Sequence, residues 1–303
     1  MAEAHRGATY DQQLAMARAA ERLGFGGFFR TEHFLATEGD GKPGPTDSWV
    51  TLGAIARETS VIRLGTIMTC TTFRYPALLA VQVAQVDQMS GGRVDLGLGC
   101  GWFEAEHAAM GIPFPPLRER YDQFEEQVEI LTGLWRTPAG ETFDYAGRYN
   151  VIKANPALPK PVQPGGPPLI VGGFGAKRTP RVAARYGSEF NSPFSPPPLA
   201  ARQIVRVRQA CEDIGRDPAS LRCSIALQVC CGSTTDEVRR RQAMTGQTAE
   251  DFAARGVAGT PAQVVERIAA YSRTGITRCY LALAGLSDLD QLELIAREVM
   301  PHV

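Results

Sequence analysis

No stretch of this sequence approaches the roughly 18 consecutive apolar residues of a membrane span, and its start lacks the basic-then-apolar pattern of a secretory signal. An excess of charge of one sign is also missing. The 32 Lys and Arg balance 32 Asp and Glu without any block of like charge, so nothing marks a footprint for nucleic acid or an anionic membrane. The seven cysteines (Cys70, Cys100, Cys211, Cys223, Cys230, Cys231 and Cys279) form no C-x-x-C pair, which argues against a disulfide framework and against a zinc site. Histidine is scarce: His5, His33, His107 and His302 share no metal-ligand spacing, and no metal is expected. These absences leave the expectation of a cytoplasmic chain of 303 residues, 44% hydrophobic, long enough to form one α/β barrel domain over 1–303.

What is present is a regular alternation of helix and strand. The stretch from Ser90 to Trp102 shows the unit most plainly. Pro76 to Met89 carries apolar residues at helical spacing, Gly91-Gly92 stops that helix, and Val94, Leu96 and Leu98 alternate as a strand. Gly99 and Gly101 follow it, where backbone can approach a ligand at a strand's carboxyl end. Further strands read from Gly27 to Arg30, Val61 to Thr66, Leu169 to Val171, around Glu189 to Asn191, Leu221 to Cys231 and Thr277 to Leu283. Each is nearly all apolar and is spaced from the next by a helical segment, so the pattern predicts a parallel sheet covered by helices and closed as a (β/α)8 TIM-type barrel. Its first strand is not evident: residues 1–9 are polar and hold no apolar strand. Insertions fall at about 36–46, read as a mobile lid, at 102–117, read as irregular, and at 137–168. The lid and the last insertion are expected to shape the pocket, and residues 232–259 carry no clear pattern.

A second glycine loop, Gly172-Gly173-Phe174-Gly175-Ala176-Lys177-Arg178, joins a strand to a helix start, where free amides and the positive helix end favour a phosphate. Lys177 or Arg178 would add charge. Neither glycine cluster is a dinucleotide fingerprint, because the third glycine is absent from both. Cys100 has no activator in sequence, so it reads as a small contact residue rather than a nucleophile. Arg74, Tyr75 and Arg93 read as structural, Arg93 through ion pairs or carbonyls at the bottom of a strand. Asn191, at a strand's end, is a candidate contact to cofactor or substrate.

Several motifs recur in one order: Glu32-His33-Phe34, Arg63-Leu64-Gly65-Thr66, Phe73-Arg74-Tyr75-Pro76, Ser90 to Trp102, Gly111 to Pro115, Arg120-Tyr121, Leu169 to Gly173 and Lys177-Arg178-Thr179. Together they resemble the luciferase-like monooxygenase superfamily, and more narrowly its deazaflavin (coenzyme F420)-dependent oxidoreductases. The resemblance implies a barrel with the flavin-like ring across the carboxyl ends of the strands. It implies a non-proline cis peptide near Ile67-Met68, on a bulge whose residues Ile67, Met68, Thr69 and Cys70 touch the ring. It places His33 near the reactive carbon, where an imidazole can pass a proton as hydride moves. Gly99, Cys100 and Gly101, with Gly172, Gly173, Phe174, Gly175, Lys177 and Arg178, are the remaining implied cofactor contacts, and family habit favours a homodimer.

One position departs from the pattern. In the family's sugar-phosphate dehydrogenases a glutamate acid follows the second glycine, whereas Trp102 stands here and offers an aromatic wall for a more apolar substrate. Glu104 is a candidate substitute acid, though it reads first as a solvated surface carboxylate. The function expected is hydride transfer between F420 and a C=C, C=N or C=O bond or its reduced counterpart. The alternatives are a two-component monooxygenase using FMN and, in a different class, a non-catalytic binding relative.

Overall fold

The helices begin where the sequence offers a cap. Thr9 forms a reciprocal capping box with Gln12, Asp47 accepts from the amides of Trp49 and Val50 at 2.9 Å each, and prolines open the helices that start at Pro76 and Pro261. A computed structural model describes residues 1–3, 6–37, 40–283, 285 and 287–303, with positions 249 and 251 described by backbone alone. In chain order the elements are α1 (Tyr10–Arg22), β1 (Gly27–Arg30), α2 (Ser48–Glu58), β2 (Arg63–Thr66), β3 (Thr69–Cys70), α3 (Pro76–Ser90), β4 (Val94–Gly99), α4 (Glu104–Met110), α5 (Leu117–Arg136), β5 (Phe143–Ala146) and β6 (Val151–Asn155). They continue with β7 (Leu169–Gly172), α6 (Arg178–Tyr186), β8 (Glu189–Pro193), α7 (Pro197–Glu212), β9 (Arg222–Cys231), α8 (Thr235–Ala243), α9 (Ala249–Arg255), β10 (Gly256–Gly259), α10 (Pro261–Ser272), β11 (Arg278–Leu283) and α11 (Leu289–Glu298).

The main sheet is parallel and runs β1-β2-β4-β7-β8-β9, with β11 also paired to β9. Phe28 lies beside Leu64, Leu96 beside Leu169 and Phe190 beside Cys223. Apolar residues on the outer face of the strands meet the helices in one large core that includes Leu52, Ile55, Leu64, Leu79, Val83 and Leu96. A smaller cluster of Phe29, Ile67, Ile170, Ala226 and Tyr280 fills the barrel interior. The rings of Phe29 and Tyr280 meet edge to face at 4.8 Å.

No apolar strand is evident in residues 1–9, and between β1 and β11 the described residues place Met1 and Ala2. The Ala2 amide donates to the Phe29 carbonyl at 2.6 Å, the Ala2 carbonyl accepts from Thr31 at 3.1 Å, and the Met1 amine donates to the Leu281 carbonyl at 2.8 Å. Met1 and Ala2 therefore bridge β1 and β11 by isolated backbone contacts. A contact made by two backbones has no periodicity, so no sequence pattern announces it.

Residues 137–168, expected around the pocket, lie elsewhere. They fold as the antiparallel hairpin β5-β6 and a tail held by the buried Asp87 carboxylate, which accepts from the amides of Val162 at 2.8 Å and Gln163 at 3.0 Å. The Gln163 side-chain amide donates to the Val94 carbonyl at 2.7 Å, at the amino end of β4 and so opposite the carboxyl ends where the site lies. Arg93 works at that same end, donating to the carbonyls of Ile62 at 2.6 Å, Ala56 at 2.8 Å and Thr59 at 2.9 Å. The patternless stretch 232–259 contains α8, α9 and β10, which pairs with β9. The insertion 102–117, expected to be irregular, contains α4.

Candidate active site

A cavity of about 1110 Å³ opens at the carboxyl ends of the strands, larger than the ~300–1,000 Å³ of an ordinary small-molecule pocket. Sheet order brings distant stretches to its wall. His33 follows β1; Ile67, Met68, Thr69 and Cys70 follow β2; Gly99, Cys100, Gly101 and Trp102 end or follow β4. Gly172, Gly173, Phe174, Gly175, Lys177 and Arg178 come from the loop after β7, and Asn191 from β8. Every residue singled out in the sequence for cofactor or substrate contact lines this one cavity. Of the expected lid, Thr37 lines it, while positions 38 and 39 lie outside the described residues. No described residue of 137–168 reaches it, and Glu104 is an exposed carboxylate outside it.

The Ile67-Met68 peptide is cis, at the position the resemblance implies. The Met68 side chain lies over glycines of two neighbouring strands: a Cβ on Gly97 would meet its sulfur at 2.8 Å, and a Cβ on Gly172 would collide with its methyl group. Gly101 has φ +80°, and a Cβ there would collide with the Cys70 sulfur. Between β4 and β7 the glycines thus make room for the Met68 and Cys70 side chains, which line the cavity together with the backbone of Gly99, Gly101, Gly172 and Gly173. Burial pushes the Cys70 thiol up to about 12 and raises the Cys100 thiol as well, so both stay protonated at neutral pH.

His33 is held from one side by a helix that the sequence did not show. Its Nδ1 lies 3.0 Å from Oε2 of Glu106 on α4, and the amides of Phe34 and Leu35 donate to Oε1 of the same carboxylate, the second at 3.2 Å. Glu106 is 1% exposed. Trp102 and Phe103 stack at 5.1 Å, and the His33 ring meets Trp102 edge to face at 5.7 Å. The next residue of α4, His107, donates from Nδ1 to the Phe103 carbonyl at 2.7 Å and accepts at Nε2 from the Thr72 hydroxyl at 2.6 Å. Thr72 in turn accepts from the Cys70 thiol at 2.8 Å. One short helix thus braces the loops after β1, β2 and β4. Its only sequence sign is the pair Glu106-His107 between Gly101 and the prolines from Pro113, a context that reads as a loop.

At the second glycine loop the two cations differ. Arg178 reaches the wall with its charge already met by Asp122 at 2.6 Å and Glu125 at 2.7 Å, contacts that raise its pKa. Lys177 is exposed and makes no ion pair among the described residues. Tyr121, also unassigned in the sequence, lines the cavity and shares a hydrogen bond of 2.8 Å with Thr179. The Gln203 side chain donates to the Phe174 carbonyl at 3.1 Å and pins the loop from behind. Asn191 is buried and donates to Ser224 at 2.9 Å, so its amide is partly committed to the sheet.

The far wall brings together polar residues that no spacing connects: Glu3, Arg6, Gln228 and Arg255. Glu3 sits 3.6 Å from Arg6 and 3.5 Å from the Gln228 amide. Beside His33, the buried Glu32 pairs with Arg74 at 2.5 Å, and Arg74 reaches Asp47 at 2.6 Å. Burial raises the Glu32 carboxyl while Arg74 pulls it back.

Comparison with known proteins agrees with this geometry. The luciferase-like monooxygenase family model matches residues 1–250. An F420-dependent glucose-6-phosphate dehydrogenase of Segniliparus rotundus is 27% identical over 94% of this chain and 91% of its own length. Among solved structures, an F420-dependent secondary alcohol dehydrogenase in complex with an F420-acetone adduct superposes with TM-score 0.87 at 20% identity, over 100% of this chain and 98% of its own. A monooxygenase from Streptomyces bottropensis superposes with TM-score 0.82 at 23% identity, over 97% and 93%. At those identities the two structures speak for the fold, and with a match over most of its length this chain belongs to the luciferase-like monooxygenase family.

Proposed function

We propose that this protein is an oxidoreductase that transfers a hydride between the deazaflavin coenzyme F420 and a small organic substrate, reducing a C=C, C=N or C=O bond or running the reverse. The observation that carries the reading is the single cavity of about 1110 Å³ that joins His33, the Ile67-Met68 segment and both glycine loops. It has room for a tricyclic cofactor and a substrate side by side. The F420 dependence of the Segniliparus rotundus relative supports the choice of cofactor.

The wall fits such a group. Gly99, Gly101, Gly172 and Gly173 line the cavity beside Met68 and Cys70 without adding bulk, and the loop Gly172 to Lys177 leads into the α6 N-terminus, which favours a phosphate. Lys177 adds the available charge there. When bound, the deazaflavin supplies a two-electron carrier that exchanges hydride. His33 supplies or removes the proton that accompanies hydride at a carbonyl or imine. Trp102 and Phe103 give the substrate side an aromatic wall. Trp102 stands where sugar-phosphate enzymes of the family carry an acid, which directs the reading to a less polar substrate than that of the Segniliparus rotundus relative.

The second reading is a two-component monooxygenase using FMN, favoured by the family's description. Equilibrium binding of F420 and FMN, side by side, separates the two. Selective binding of F420, followed by substrate-dependent change in its absorbance, is the expected result. Selective binding of FMN moves the assignment to the monooxygenase, and binding of neither leaves a non-catalytic relative.

The homodimer and the cytoplasmic setting belong to the same proposal. Among the described residues no helix is long and apolar enough to cross a membrane. Val50 on α2, Tyr75 at the start of α3, and Leu78 and Val81 on α3 are exposed apolar side chains on two helices that pack together, a face suited to a second copy of the chain. Light scattering is expected to give twice the 32.8 kDa chain mass, and Leu78→Glu to give one.

A further inference from the structure

We propose that Glu106 is a positioning residue that fixes His33 in one tautomer, with its proton on Nδ1, and thereby makes Nε2 the proton-accepting atom of the site. The inference rests on the hydride-transfer reading for its kinetic part alone.

The argument begins with what each atom can do. An ionised carboxylate only accepts hydrogen bonds. Oε1 of Glu106 is already engaged as an acceptor by the amides of Phe34 and Leu35, which lie directly after His33 in the chain. The two amides lock the carboxylate in rotation, so Oε2 is aimed at the imidazole, 3.0 Å from Nδ1. In a neutral imidazole one nitrogen donates and the other accepts, so a carboxylate at Nδ1 requires the proton there and puts the lone pair on Nε2. The carboxylate is 1% exposed, so water does not compete for Nδ1 at that contact. The ring is steered further by Trp102 and Phe103, whose centroids lie 5.7 and 6.2 Å from its own, both edge to face.

The same helix contains an internal control. Nδ1 of His107 lies 2.7 Å from the Phe103 carbonyl, which can only accept, so His107 carries its proton on Nδ1 independently of Glu106.

The substitution Glu106→Gln isolates the effect. Its amide oxygen can keep the two backbone donors, and its NH2 then faces Nδ1. His33 must accept there, its proton moves to Nε2, and the tautomer inverts while the contacts stay in place. An asparagine behind a histidine base in a serine protease has this consequence, lowering kcat by about 10⁴ through the wrong tautomer.

The experiment is long-range ¹⁵N–¹H correlation of the imidazoles in the full-length protein without cofactor. The spectrum is tractable because the chain holds four histidines, and the loss of one signal set in His33→Gln assigns His33. The expected wild-type pattern is Nδ1–H at both His33 and His107. In Glu106→Gln, His33 is expected to switch to Nε2–H while His107 does not move. A wild-type His33 that carries its proton on Nε2, or one whose tautomer is the same in Glu106→Gln, overturns the proposal. Should Glu106→Gln fail to fold, the wild-type spectrum still decides, and Glu106→Asp, which keeps an acceptor, is expected to retain the Nδ1–H form.

The kinetic arm is read separately. With F420 and a turned-over substrate, Glu106→Gln is expected to lose about 10²-fold or more in kcat, with KM and cofactor affinity little changed, and Glu106→Asp to recover part of the loss. An inverted tautomer with unchanged kcat upholds the positioning role and overturns instead the role of His33 in proton transfer.

Discussion

The sulfur of Met68 occupies the space that a side chain at Gly97 would need: a Cβ built there would come within 2.8 Å of the sulfur and would also collide with the Thr66 carbonyl. The thioether can swing away, but the carbonyl belongs to a paired strand and cannot. Gly97→Ala is therefore expected to destabilise the fold by about 1–3 kcal/mol through overpacking, read as a lower midpoint in urea. Ligand affinity should fall with it, since β4 and the Met68 segment form adjacent parts of the wall. An alanine variant as stable as the parent would show that the glycine is dispensable.

His33 is expected to matter for turnover and little for holding the cofactor. General acid–base groups contribute about 10²–10⁴-fold to rate, so His33→Gln should lower kcat by that order while F420 affinity by fluorescence quenching changes by less than about threefold. Equal losses in kcat and affinity would instead make His33 a binding residue.

The two cations of the second glycine loop should behave oppositely. Lys177 has no carboxylate partner among the described residues, so Lys177→Ala is expected to weaken F420 binding by about tenfold at low salt, with a smaller effect at high salt. Arg178 spends its charge on Asp122 and Glu125, tying α6 to α5. Arg178→Ala should lower the melting temperature and leave affinity nearly unchanged in the fraction that remains folded. The opposite ranking would assign the anion site to Arg178.

The Glu32–Arg74 pair predicts a pH dependence. Breaking a buried pair by removing one partner typically costs about 3–5 kcal/mol, and Arg74→Met leaves Glu32 buried without its cation. Burial already raises the Glu32 carboxyl, and Arg74 is the largest influence lowering it, so its pKa rises further in the variant. The native state then keeps a proton that the unfolded chain releases above about pH 4.3, so stability falls as pH rises from that point toward the folded-state pKa. Asp47, lowered partly by Arg74, acts in the same direction. Urea unfolding should therefore show a deficit against wild type that is small near pH 4 and large at pH 7.5. A deficit independent of pH would mean that Arg74 acts by packing alone.

Much of this molecule is legible in local pattern. The helix from Pro76 stops at Gly91 as its residues imply, and the Asp47 cap is visible in sequence. The strands carry the apolar alternation of a sheet covered by helices, and the glycines at 99, 101, 172 and 173 mark where backbone meets the cavity. Other features are not local. Glu106 reads as one polar residue in a loop, because its partners, His33, Phe34 and Leu35, lie some seventy residues earlier in the chain. Residues 137–168 look like a pocket insertion because nothing in them records that Asp87 will hold their end at the other side of the barrel.

The repeating strand–helix unit, the parallel sheet and the loops that face a ligand follow from local pattern alone, because periodicity, caps and glycine conformations are properties of neighbouring residues. Tertiary packing adds that Met1 and Ala2 bridge β1 and β11, that α4 reaches back to hold His33, and that among the described residues Arg178 is paired while Lys177 is not. Those are meetings between groups far apart in the chain, fixed by sheet order and burial, and no local pattern encodes which of them comes within hydrogen-bonding distance.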